Sequence, residues 1–173
     1  SILKYVEIRM APQLSTNKGL SQEKVVETLL KTMKIAEKSG IFSNLILCMM
    51  RGSDTHEKTF ETIKVASKFM GKGVVAIDLA GAEALFPNEM FGDEFKEINK
   101  LGLPLTIHSG EAAGASSVSS ALRFNPQRIG HGIHSITDEK VVNELAKRNV
   151  CLDICPKSNL DTKAISKYED LPI

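Results

Sequence analysis

The sequence predicts a parallel α/β fold, and three features carry that prediction. Short apolar, β-branched runs alternate with longer segments of helical spacing from end to end, the order that βαβ units produce. The runs are apolar throughout rather than alternating, as in strands covered on both faces. The residues suited to chemistry gather just after the runs, where parallel sheets place their sites.

The predicted strands cover residues 5–10, 45–50, 74–78, 105–108, 128–130 and 150–154. Between the first two, residues 21–38 put Val25, Leu29, Met33 and Ala36 on one stripe, with Val26 and Leu30 beside it. Ser21 is placed to cap that helix at its start and Gly40 at its end. A second helix over 54–70 carries Phe60, Ile63 and Met70 and ends in Gly71-Lys72-Gly73. A third, near 93–100, stops before Gly102 and Pro104, and a fourth carries Val118, Ala121 and Leu122. The fifth begins at Thr137-Asp138-Glu139, where negative charge suits a helix N-terminus, and is expected to bury Val141, Val142, Leu145 and Ala146. Two parallel architectures fit this order, the doubly wound sheet and the (β/α)8 barrel, and periodicity does not separate them. No GxGxxG follows the first strand and no GxxxxGK[ST] occurs, which removes the dinucleotide and P-loop fingerprints. Six strands fall short of the eight a barrel closes with over about 250 residues, so a barrel here would keep two open edges.

Composition narrows the function classes. With 22 basic and 21 acidic side chains the net charge is +1, which argues against a nucleic-acid binder working by bulk electrostatics. The 173 residues are 42% hydrophobic and 25% charged, a mix for one globular domain over residues 1–173 rather than a disordered chain. No stretch approaches the roughly 18 unbroken apolar residues of a membrane helix. Nothing at the N-terminus reads as a signal peptide, since Ser1 to Tyr5 runs straight into a strand. Cys48, Cys151 and Cys155 are odd in number, lack a CxxC spacing and lie in apolar runs. They read as buried free thiols in a reducing compartment, so a cytoplasmic location is expected.

At the strand ends stand Glu7 and Arg9, Arg51, Asp78, His108 and Glu111, His131 and His134, and Ser158 with Asn159. His108 closes an apolar strand, and Glu111 lies three residues on across a Ser-Gly turn. That spacing suits a metal-bound histidine beside a general acid or base, or a satisfied polar turn. His131, between Gly130 and Gly132, sits at the next strand end, where the glycines allow tight turns and close approach of a ligand. Asp78 ends an otherwise apolar strand and needs a partner or solvent. Glu7 and Arg9 share a strand face and read as an ion pair inside the sheet. His56 reads as a solvated surface residue and His134 as a supporting or surface residue. Among the candidates at the strand ends, Arg51 and Lys157 are the cations a phosphate would need. No GxSxG elbow or PCxxC signature occurs.

Five segments together resemble the adenosine deaminase family. They are Tyr5-Val6-Glu7-Ile8-Arg9-Met10-Ala11-Pro12, Asp78-Leu79-Ala80-Gly81, His108-Ser109-Gly110-Glu111, Arg128-Ile129-Gly130-His131-Gly132 and Cys155-Pro156-Lys157-Ser158-Asn159. The resemblance implies a metal-dependent (β/α)8 barrel that hydrolyses adenosine to inosine and ammonia, and so decides between the two architectures; the alternatives are a related aminohydrolase of adenine, AMP or a modified adenosine, or a non-catalytic purine- or partner-binding remnant. It implies His108 as a Zn2+ ligand and Glu111 as the proton shuttle to the purine N1. It implies His131 as the group that orients and polarises the metal's water. Gly81 is expected to offer its amide to the purine of a nucleoside substrate, and Asp78 to support that binding site from its strand end. Ser158 and Asn159 are motif positions without an implied role. The chain departs from the family pattern in lacking both its His-x-His and its Asp-Asp pair. It therefore reads as the central six strands of a deaminase barrel, unable to hold zinc or turn over alone. Two open edges are expected to drive self-association or capture of a complementing fragment.

Overall fold

A computed structural model describes residues 3–53 and 55–172. Six parallel strands form one sheet in sequential order. They are β1 (Tyr5–Met10), β2 (Phe42–Met50), β3 (Val74–Ala80), β4 (Leu105–Ser109), β5 (Arg128–His131) and β6 (Cys151–Asp153). A doubly wound sheet reverses its strand order at a switch point; this order never reverses. The sheet also curls. Six strands at about 4.8 Å spacing would set the outermost two about 24 Å apart if flat. Yet Arg9 on β1 pairs with Asp153 on β6, and Glu7 on β1 accepts a 2.7 Å bond from Arg128 on β5. The result is an incomplete barrel of the (β/α)8 type, open between β1 and β6, neither of which has a second strand partner among the described residues.

The first five helices lie against the outer face, and the sixth sits over the strand ends. These are α1 (Gln22–Ala36), α2 (His56–Phe69), α3 (Gly92–Lys100), α4 (Ala115–Leu122), α5 (Glu139–Lys147) and α6 (Pro156–Asp161). Leu45, Leu47, Met49, Ile77, Leu79, Leu105, Ile107 and Ile129 join Phe91, Phe95 and Ile98 in one core. Alternate positions on the same strands point inward, and these include Glu7, Arg9, Asp78, Thr106, His108, Arg128 and Asp153. The runs are thus two-faced: apolar towards the helices, and towards the interior mixed, with Ile46, Cys48 and Ala76 beside the polar groups. Among the described residues no helix is long and apolar enough to cross a membrane.

Several expectations change in detail. Ser21 caps α1 by accepting from Lys24 N at 3.1 Å, and Gly40 adopts φ +80° as the chain leaves the helix. The buried stripe, however, is Gln22, Val26, Leu30 and Met33, while Val25 and Leu29 are half-buried and Ala36 is exposed. Six apolar residues span too wide an arc for pattern alone to find its centre. The predicted start of the second helix at 54 lies outside the described residues; Phe60 on α2 is 40% exposed, and Ala146 on α5 is exposed. Glu7 and Arg9 do not pair with each other but reach across the interior. Of the cysteines only Cys48 is buried; Cys151 is exposed on the open β6 edge and Cys155 is half-buried. His56 is half-exposed yet engaged, its Nδ1 2.5 Å from the buried Glu94 Oε1. α6, within the Cys155–Asn159 motif, carries too few apolar residues to show a helical period.

Truncating Leu47, fully buried between sheet and helices, should cost about 2–5 kcal/mol in urea unfolding as Leu47→Ala. Leu85→Ala, at a side chain 73% exposed, should stay within about 0.5 kcal/mol.

Candidate active site

At the level where β3 and β4 approach their C-terminal ends, Asp78 and His108 face each other inside the curl. The Asp78 side chain is fully buried, and its oxygens lie 2.9 and 3.1 Å from His108 Nδ1. Arg9 Nε is 3.8 Å away on the other side, and Cys48 Sγ–H approaches at 3.7 Å. A carboxylate accepts only, so in the neutral ring the proton sits on Nδ1 and His108 Nε2 keeps its lone pair. Gly130, on β5 beside His108, makes this possible: a Cβ there would stand 3.1 Å from the imidazole Cγ and Nδ1. The glycine leaves room for a side chain, where the sequence suggested room for a ligand.

His131 follows at the end of β5, buried, with its ring centroid 5.2 Å from that of His108. Its backbone sits at φ +65°, uncommon for a non-glycine residue. Asn159 on α6 is fully buried and donates its Nδ2–H to His131 Nδ1 at 2.9 Å. That bond places the neutral ring's proton on Nε2, which points at Glu111 Oε2 3.2 Å away. Burial holds the His131 pKa below that of an ordinary imidazole; the Glu111 carboxylate pulls it up, and His108 pushes it further down.

Glu111 owes its place to Glu83, a residue the sequence pattern did not single out. Glu83 is buried, and its carboxylate accepts from the amides of Gly110 (2.6 Å), Glu111 (3.1 Å), Ala112 (2.8 Å) and Ala113 (3.2 Å). The Ser117 hydroxyl adds a fifth bond at 2.6 Å. Burial alone would raise its carboxyl pKa, but the bonds from Ser117 and these amides outweigh it and hold it below the ordinary carboxylate range. The turn is tight: Gly110 has φ +74°, and a Cβ there would meet Val118 Cγ2 at 2.5 Å. Its carbonyl accepts from both the backbone N and the Nδ1 of His134 at 3.1 Å, so His134 supports the turn. The available signal was a lone acid in the small-residue run Ala80-Gly81-Ala82-Glu83-Ala84 directly after a strand.

Arg51 has another task. Its guanidinium is buried and donates to the carbonyls of Phe86 and His108, each at 2.6 Å, and to Asn88 Oδ1 at 2.7 Å. It ties the end of β2 to the neighbouring loops and has little left for a phosphate. Lys157 pairs with Asp161 on the solvent face of α6. A cavity of about 590 Å³ opens over the strand ends, lined by Gly81, Glu111, His134, Thr162 and Lys163 among others. It brings Gly81 and Glu111 to one space, of a size that takes a small organic ligand.

Among the described residues no group of three or more His, Cys, Asp or Glu side chains could hold a metal ion. His108, with Nδ1 pinned by Asp78 and Nε2 unprotonated, has the form of a metal-binding histidine. One such donor is not a site.

The family model described as adenosine deaminase matches residues 1–173. The chain is 47% identical over 176 residues to the adenosine deaminase of Haemophilus ducreyi, covering 99% of this chain and 51% of that one. It resembles the crystal structure of an adenine deaminase from Arthrobacter aurescens, with TM-score 0.84, 28% identity, and coverage of 98% and 52%. The N6-methyl-AMP deaminase of Arabidopsis thaliana superposes with TM-score 0.81 at 28% identity, covering 94% and 50%. The chain spans about half the length of the curated relatives it matches.

Replacing Glu83 by Gln should destabilise the protein by about 2–4 kcal/mol at pH 7, because an amide nitrogen then faces backbone donors in a buried cradle. The Glu83 pKa is lower folded than unfolded, so its contribution is full above the unfolded value and fades as pH falls through the folded one. Denaturant titrations should show the two proteins converging below about pH 4.

Proposed function

The chain belongs to the adenosine deaminase family, and we propose that the protein it forms hydrolyses adenosine or deoxyadenosine to the inosine product and ammonia. The observation that carries this reading is the Glu111–His131 contact, held by Glu83 from one side and α6 from the other. Deamination at C6 adds water across the C6–N1 bond and then expels the amino group as ammonia. Glu111 holds the proton that goes to N1 and keeps negative charge from building on the ring as C6 becomes tetrahedral. His131, its Nε2–H fixed by Asn159, orients the water and the Glu111 carboxyl together. Gly81 offers its amide to the purine from the cavity wall, and Asp78 acts on substrate through His108 rather than by touching it.

The family is metal-dependent. In this reading His108 supplies one zinc ligand and donors beyond the described residues complete the set; a bound zinc would furnish water acidified to near-neutral pKa. Residues 1–173 are read as the central part of one barrel, with the open β1 and β6 edges closed by further segments. The isolated chain is expected to self-associate through those edges. A nucleoside suits the described part of the cavity better than a nucleotide. Arg51 is spent inside and Lys157 lies on the solvent face of α6, leaving Lys163 as the cation lining the cavity.

The test is purine deamination followed by ultraviolet absorbance. Full-length protein should turn over adenosine, and Glu111→Gln should lower kcat about 10²- to 10⁴-fold. The 173-residue chain with added zinc should show no turnover. Activity of the isolated chain at the full-length rate would overturn the incomplete-site reading, and unchanged activity of Glu111→Gln would overturn the assignment of the acid.

A further inference from the structure

Thr162 follows α6 directly, three residues after Asn159 and so on the same helical face. That face meets both members of the central pair: Asn159 bonds His131, and the Thr162 hydroxyl lies 2.9 Å from Glu111 Oε1. The same hydroxyl is 2.9 Å from the Ser158 carbonyl oxygen. It has one hydrogen and three acceptors in reach, Glu111 Oε1 and the Ser158 carbonyl at 2.9 Å and the Asn159 carbonyl at 3.4 Å, and the two carbonyls can never donate.

We propose that Thr162 is a positioning residue that serves Glu111 in both protonation states by reversing its hydrogen bond. When Glu111 is a carboxylate, the Thr162 hydroxyl donates to Oε1. When Glu111 is a carboxylic acid, Oε1–H donates to Thr162 Oγ, which turns its own hydrogen to the Ser158 carbonyl. No heavy atom moves, and the half-buried Glu111 carboxyl keeps its partner on the exposed Thr162 hydroxyl in either state. The acid proton therefore has a defined resting place beside the cavity, from which it passes to the substrate's ring nitrogen. Glu111 Oε2 is meanwhile held by His131 Nε2–H, so the carboxyl cannot rotate away from the cavity. A threonine that merely back-bonds to the carbonyl four residues earlier would need no contact with Glu111.

This rests on the proposed deamination, and the experiment separates the two. In the full-length protein, Thr162→Val should lower kcat about 10- to 100-fold, the range set by one hydrogen bond to a charged group, with KM within about twofold. Thr162→Ser, which keeps the hydroxyl, should recover kcat to within about threefold. In a Glu111→Gln background, Thr162→Val should have less than about a twofold further effect, because the two residues act as one unit. Thermal melting checks that each variant is folded, and Thr162→Ala replaces the valine variant if that one is not. A rise confined to KM, equal losses in the serine and valine variants, or full additivity in the glutamine background would each overturn the proposal. If Glu111→Gln itself leaves the rate unchanged, the deaminase assignment of the acid fails instead.

Discussion

The inner face of the curled sheet carries charges among apolar side chains such as Ile46 and Ala76, and those charges must find one another there. Asp78 is the centre of that constraint. A carboxylate removed from water costs several kcal/mol unless it is paired and hydrogen-bonded. Here His108 Nδ1–H bonds it directly, with the Arg9 guanidinium behind. Arg9 in turn reaches Asp153, so strands β1, β3, β4 and β6 meet through one set of charges. The sheet has to curl for this to happen, since a flat sheet would hold Arg9 and Asp153 far outside contact range. Curvature, charge pairing and the His108 tautomer are thus one arrangement. Removing Arg9 or His108 would leave the buried Asp78 carboxylate short of a partner.

A second buried carboxylate, Glu83, works on backbone instead of side chains. Its five donors are four consecutive amides and one hydroxyl, a set only a tight turn can aim at one point. The turn carries Glu111, and its Gly110 carbonyl is held by His134. From the opposite side α6 contributes Asn159 and Thr162. Glu111 is therefore fixed at its backbone by β3–β4 elements and at its carboxyl by a helix that follows β6. A carboxyl positioned at both ends loses little entropy when a ligand arrives.

The parts legible in the sequence were those whose causes are local. Strand positions follow from short apolar runs, and the α1 cap from Ser21 beside the amide it satisfies. His108, Glu111 and His131 stood out because a polar side chain closing an apolar strand gains nothing from packing there and needs a polar partner. Glu83 did not, because its partners are backbone amides 27 to 30 residues downstream, and amides look alike in every sequence. Asn159 was visible only as a motif position, since its role depends on the ring of His131, 28 residues earlier. Thr162 has the same difficulty, and the short helix before it shows no period. Arg51 misled for the opposite reason: a cation at a strand end suggests a ligand, but this one is buried and donates to the Phe86 and His108 carbonyls and to Asn88.

The acid and the metal ask different things of a barrel. Every group that fixes Glu111 comes from adjacent units in chain order: Glu83 after β3, the turn after β4, His131 on β5, Asn159 and Thr162 after β6. Neighbouring parallel strands are about 4.8 Å apart, so successive units can converge on one carboxyl without the barrel closing. A four-coordinate metal asks for donors that surround a point, and an arc of strands approaches such a point from one side only. His108 alone fits a ligand position among the described residues. In the proposed deamination, the groups that would handle the proton are preorganised within this arc, and the proposed metal site draws on donors beyond the described residues.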